Sequence, residues 1–315
     1  MSKLTLIGAL AALSCVLINA APSADHVTSL PELKSNDFYI TGESYAGKYI
    51  PILAVLVVND KTNFPGFKGI AIGNGILNNR INLNTLPHFL SYHAVMGQDL
   101  YDQLAKQCCN DNPYTCDYSQ FAGHNGTCGD LYEQIHDQTD ELDPYNIYAV
   151  CYWDGGSNKK TFIRDFLFRR KDKDGKIRNR KLGASLPPCA QENNTANYLN
   201  RQDVRTALHI PSSVGIWSAC RQYRTLYGDM STQVKTLVQK GIRVLIYNGD
   251  FDTMCNVIMN EKFVKQLNLT IQGGNVSNRQ VWHYNGSIEQ VNLDTCCDYS
   301  SNVAGYVTKY NGIRG

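Results

Sequence analysis

Apolar positions in this chain gather into short runs bounded by turn signals, not into long periodic stretches. Phe38–Thr41, Gly69–Ile72 and Val244–Tyr247 are rich in β-branched and aromatic side chains, the pattern of parallel strands buried on both faces. Gly241 predicts the end of a helix just before the third run. In RQVWHYNG, Trp282 and Tyr284 alternate against His283, which predicts a hairpin strand. The one long apolar stretch is Leu4–Ile18, after Lys3 and before the small pair Ala20-Ala21. It reads as a signal peptide over residues 1–20, too short and wrongly flanked for a membrane span.

The first run leads directly into chemistry. In FYITGESYAGKYI, Phe38–Ile50, a strand-type run meets a tight turn at Ser44 and an immediate helix start. Such an elbow lifts the serine Oγ clear of the sheet, while the Tyr45 N–H and the helix N-terminus face a developing oxyanion. Gly42, Ala46 and Gly47 supply small residues where the turn packs closely. The pattern is GxSxA instead of the usual GxSxG, and taken alone it also fits an ordinary turn.

The longer string GESYAGKY resembles the active-site signature of the serine carboxypeptidases, particularly their cathepsin A-like branch. VLIYNGDFDTMCN at Val244–Asn256 resembles the family's strand and loop carrying the catalytic aspartate, which maps to Asp252. GIAIGNGIL at Gly69–Leu77, the CCN run at Cys108, PPC at Pro187–Cys189 and YLNRQDVRTALHIP at Tyr198–Pro211 extend the resemblance from about Phe38 to Tyr310. It implies an α/β-hydrolase fold with a disulfide-rich, largely helical cap, no cofactor or metal, and peptide or protein C-termini as partners. It also implies Ser44 as nucleophile, Asp252 as orienter of a base, Tyr45 as oxyanion donor and Glu43 as the group that binds the substrate carboxylate. A homodimer is a further option that the resemblance carries. The expected divisions are a core segment over 21–78 with the elbow, a cap over 79–231 and a second core segment over 232–315.

Two family segments have no counterpart in the 315 residues. One is the early WLNGGPGCSS stretch, which supplies oxyanion glycines and part of the carboxylate site; the other is the GAGHMVP-like loop with the catalytic histidine. The central sheet is therefore expected to be incomplete, with unpaired edges and exposed apolar faces. In the order Ser…Asp…His the only histidine after Asp252 is His283, read here as a strand surface residue. His26, His88, His93, His124, His136 and His209 precede the aspartate. An unassisted serine is a poor nucleophile, so the 315 residues by themselves are expected to be inactive. Two other readings stand beside this one: a non-catalytic secreted or lysosomal glycoprotein, and an incomplete or alternatively spliced product.

Composition adds the compartment. A hydrophobic share of 43% and a net charge of +2 argue against disorder and against a nucleic-acid partner. Eleven cysteines, ten of them beyond the signal peptide, fit an oxidising compartment, here the secretory pathway with a lysosomal or extracellular destination. Sequons at Asn125, Asn193, Asn268, Asn275 and Asn285 become candidate glycan sites there. The resemblance implies the pairs Cys108–Cys128, Cys109–Cys116 and Cys151–Cys189. It leaves Cys255 free and buried, and Cys220, Cys296 and Cys297 without assigned partners. A zinc site built from Cys108, Cys109, Cys116, His124 and Cys128 is the weaker reading, because secreted cysteines at such spacing usually pair. Lys159–Lys181 holds eleven Lys or Arg against three acids, a solvated basic loop or, by position, a processing segment.

Overall fold

In a computed structural model of the chain, residues 33–139, 142–150, 192–217, 225–272, 279–284 and 302–311 are described. The expectations for residues 1–20, the pair Cys151–Cys189, the basic run, Cys220, Cys296, Cys297, Asn275 and Asn285 lie outside them. In chain order the elements are β1 (Phe38–Glu43), α1 (Ala46–Asn59), β2 (Phe67–Gly73), α2 (Asn79–Tyr92), α3 (Gln98–Cys108), α4 (Thr127–Thr139), β3 (Leu142–Asp143) and β4 (Asn146–Val150). They continue with α5 (Glu192–Leu199), α6 (Gln202–Ala207), α7 (Ser231–Gln239), β5 (Arg243–Tyr247), α8 (Val257–Gln266), β6 (Arg279–Tyr284) and β7 (Asn302–Thr308).

The three apolar runs become one parallel sheet in the order β1-β2-β5, with Ile40 opposite Ile70 and Ile70 opposite Val244. One face packs on α1 and α7, where Ile50, Ala54, Val57, Ile70, Ile72, Val234, Leu237 and Val244 are buried together. The turn into β5 follows from Gly241. Its φ of +75° lets Ile242 N–H reach Leu237 O at 3.0 Å and Gly241 N–H reach Val238 O at 3.0 Å, a Schellman ending that a β-carbon would strain.

The burial on both faces that the unbroken apolar runs predict holds for the central strand β2 but not for β1 and β5. Along β5, Val244 is fully buried while Leu245 and Tyr247 are 43% and 52% exposed, and β1 leaves Tyr39 45% exposed. With three paired strands among the described residues, β1 and β5 are both edges. The expected incomplete sheet and the expected burial could not both hold. The apolar runs fit the second-face burial of a larger sheet, not the exposure seen here.

The helical region between α2 and α4 has its own core of Phe89, Leu90, Leu104, Tyr118, Tyr132 and Ile135. Disulfides join Cys108 to Cys128 and Cys109 to Cys116, which engages all four sulfurs. His88 is buried at its centre, with Nδ1 2.8 Å from the Tyr101 hydroxyl and its ring stacked on Tyr114. Asp117 gathers Arg80, Asn84, Ser119 and Gln120 around one carboxylate. Burial would raise its pKa, but these donors hold it well below the usual carboxylate range. Arg279–Tyr284 forms a hairpin with β7, as its alternation predicts. Among the described residues no helix is long and apolar enough to cross a membrane.

Candidate active site

Ser44 follows β1 directly and adopts φ +61°, a left-handed conformation that costs a non-glycine residue roughly 1 kcal/mol or more. The surrounding backbone imposes it. Ser44 N–H donates to Gly73 O at 3.1 Å, and Ser44 O accepts from Gly47 and Ile76 N–H groups, each at 3.0 Å. The turn is thus pinned both to β2 and to the chain after it. Gly47 is required by this closeness: a β-carbon there would lie 2.7 Å from the Ile76 nitrogen. Tyr45 is the N-cap of α1, so its N–H stands at the positive end of the helix beside the serine. Glu43, the last residue of β1, is exposed.

Asp252 lies in the loop after β5, at the same end of the sheet. It is buried, and its Oδ1 accepts Met254 N–H at 2.7 Å and Cys255 N–H at 3.2 Å. Burial raises its pKa to about 6, against the pull of those two backbone donors and the Asn74 side chain, with the Glu43 charge adding a little. Cys255 is a free thiol, 1% exposed. Burial pushes it well above its ordinary value, Asp252 adds to that, and a hydrogen bond with the Ser44 side chain opposes it. The structure therefore brings Ser44, Cys255 and Asp252 into one small polar cluster, with Glu43 at its edge. Among the described residues no hydrogen bond joins a histidine to it: His88 bonds Tyr101, and His93 bonds the Phe89 carbonyl. His283 belongs to β6, in a separate two-stranded sheet.

Several residues hold this cluster through partners that the local sequence does not reveal. Asn74, at φ +38°, bridges the loops after β2 and β5: its Nδ2 donates to Gly249 O at 3.2 Å and its Oδ1 accepts Gly249 N–H at 3.0 Å. Asn82 donates to Met254 O at 2.8 Å and accepts from Asn256 at 3.0 Å, while Asn256 also caps α8 through Met259 N–H. Asn248 donates to Cys255 O at 3.1 Å. These amides fix the Asp252 loop from the side of α2 without adding charge. The Asn74-Gly75 pair is a turn signal in sequence; the pairing partners, more than 170 positions away, leave no trace there.

Lys48, 3% exposed, is equally unforeseen. Its ammonium donates to Gly228 O at 3.0 Å and to Leu77 O at 3.4 Å, and burial lowers its pKa to about 8 despite the attraction of Asp229. With the Tyr45 hydroxyl 3.3 Å from Thr225 Oγ1, it ties the first turn of α1 to the segment before α7. Of the candidate glycan sites, Asn125 and Asn268 are exposed, and Asn193 lies in α5.

A model of the family described as serine carboxypeptidase matches residues 24–314. Serine carboxypeptidase ctsa-4.1 of Caenorhabditis elegans is 44% identical over 295 residues, covering 91% of this chain and 60% of the relative. Lysosomal protective protein of Mus musculus is 34% identical over 290 residues, covering 85% of this chain and 59% of the relative. The chain thus spans 60% or less of the length of these curated relatives. The crystal structure of Kex1(delta)p, a prohormone-processing carboxypeptidase from Saccharomyces cerevisiae, aligns with a TM-score of 0.52 at 16% identity, over 90% of this chain and 57% of that one.

Proposed function

The chain belongs to the serine carboxypeptidase family and has its α/β-hydrolase fold, and from that premise we propose that it carries the nucleophile and acid side of a carboxypeptidase centre. Ser44 attacks the carbonyl of the last peptide bond, the Tyr45 N–H receives the oxyanion, Asp252 orients a histidine base, and Glu43 holds the substrate's terminal carboxylate. The observation that carries this reading is the left-handed Ser44 at a strand-to-helix turn, in one cluster with a buried aspartate from the neighbouring loop. A plain structural serine needs neither feature.

Substrates are peptides or proteins with a free C-terminus, and the compartment is the secretory route to a lysosomal or extracellular destination, with Asn125 and Asn268 as its exposed glycan candidates. A homodimer belongs to the same reading, as do the core segments over 21–78 and 232–315 with the cap over 79–231. No histidine among the described residues is bonded to Asp252 or Ser44, so the 315 residues alone are expected to bind covalent reagents slowly and to release no terminal residue. Removing a triad member costs on the order of 10⁴–10⁶ in kcat.

The test uses a fluorophosphonate and an N-blocked dipeptide. Slow labelling at Ser44, abolished in Ser44→Ala, with no release of the terminal residue at acid pH, is the expected result. No labelling under any condition favours the non-catalytic glycoprotein, whereas release abolished by Ser44→Ala shows that a base is already present.

A further inference from the structure

A concavity at the end of the sheet opposite Ser44 has a chemistry of its own. It is an open hollow of about 580 Å³, within the range of small-molecule sites. Val58 from α1, Phe67 from β2 and Ile242 before β5 form its floor, and Phe64 its wall; the first three are buried. Lys61, Lys68, Lys240 and Arg243 stand around the same cavity, exposed to water, and among the described residues no carboxylate lines it. Among the described residues one acid pairs with the set: Asp37 lies 3.6 Å from Lys68 at the surface. Among the described residues Lys61, Lys240 and Arg243 form no ion pair.

Part of this charge has a local explanation. α1 and α7 both end here, and cations offset the exposed carbonyls of helix C-termini, which accounts for Lys61 and Lys240. Lys68 on β2 has Asp37 3.6 Å away at the surface, and Arg243 on β5 donates to the neutral Tyr39 hydroxyl at 3.4 Å, so the set keeps an excess of positive charge. Four cations around an apolar hollow, with one acid at the surface beside them, make the local potential positive and favour an anion there. The site's composition matches a ligand with a single anionic head and an apolar body: the body contacts Phe64, Phe67 and Ile242, and the head rests among the rim cations.

We propose that this cavity binds a medium-chain carboxylate, an anionic amphiphile of about ten carbons, at a site separate from the Ser44 cluster. The reading is independent of the catalytic assignment, because the cavity shares no residue with that cluster. Because the rim cations are exposed, binding weakens as salt rises, while the apolar floor makes affinity depend on chain length. Two fewer methylenes weaken it by roughly tenfold.

Equilibrium dialysis of the 315-residue protein against decanoate tests the proposal. Saturable binding of one decanoate per chain is expected, with octanoate and the neutral decanol each about tenfold weaker. Lys61→Glu with Lys240→Glu lowers affinity at least tenfold, whereas the same charge change at Lys106 and Lys265 leaves it unaltered. Decanol binding as well as decanoate, or full binding by the folded Lys61/Lys240 variant, overturns the proposal. Should that variant fail to fold, lysine acetylation of the unaltered protein decides. Decanoate must shield Lys61 and Lys240 but not Lys106, and equal modification with and without it overturns the site.

Discussion

The sheet region buries Asp252 and the helical cap buries His88, and acid acts on the two in opposite directions. Asp252 in the sheet region has its pKa raised to about 6 by burial. His88 in the cap has its pKa lowered to about 4, by burial first and then by the Lys262 charge, with a hydrogen bond to the Pro113 backbone opposing. Both shifts come from the same cause, the cost of a charge in a dry place. The sign of the charge makes the difference: protonation neutralises the aspartate and charges the histidine. One acidification therefore firms the loop that holds Asp252 and loosens the cap beside it.

The cap also depends on covalent ties that the sheet region does not have among the described residues. Replacing all four cysteines of Cys108–Cys128 and Cys109–Cys116 by serine is expected to destabilise the cap by about 5 kcal/mol, from loops of 20 and 7 positions. Hydrogen exchange should show this in α3 and α4 while β1, β2 and β5 keep their protection. Equal loss in both regions would mean that they unfold as one unit.

Next in size is the histidine effect. His88 is nearly fully buried and its folded pKa lies below the ordinary value of 6.5, so its stabilising contribution is full above pH 6.5 and is lost as pH falls through about 4. The loss approaches roughly 3 kcal/mol. Protection factors in α2 and α3, corrected for the intrinsic exchange rate at each pH, should fall from pH 7 to 4, and His88→Phe should flatten that dependence.

Asp252 gives a slightly smaller effect of opposite sign. Its folded pKa lies above the model-peptide value of 3.8, so its contribution is complete below about pH 4 and is lost as pH rises through 6. That loss is about 2–3 kcal/mol. Asp252→Asn should remove this slope from the protection of the loop at 248–256. A slope that survives the substitution would place the titration on another group.

How much of this was legible in sequence follows from how local each feature is. The strand, turn and helix start around Ser44 are consecutive residues whose small partners, Gly42, Ala46 and Gly47, lie within the same string, so the elbow could be read off directly. The loop carrying Asp252 was readable by resemblance alone, since nothing in FDTMCN itself states a role. The holding contacts were invisible: Asn82 to Met254 and Asn74 to Gly249 join positions 172 and 175 apart, and any exposed asparagine would look the same. Lys48 was hidden for a related reason. A lysine in a helix normally reads as solvent-facing, and only the arrival of Gly228 over it explains its burial. The double-sided burial predicted for β1 and β5 failed because hydrophobicity records the surface a strand is suited to cover, not the neighbours it has.

The left-handed Ser44 also separates two kinds of selection. A glycine at this position would meet no penalty for φ +61°, so Ser44→Gly is expected to raise stability by about 1 kcal/mol or shift it little. A library of variants ranked by cellular abundance should therefore favour glycine at 44, and the same library ranked by fluorophosphonate capture should retain serine. The disagreement between those two rankings, read along the whole chain, would mark the positions where inheritance has kept a residue that folding alone would replace.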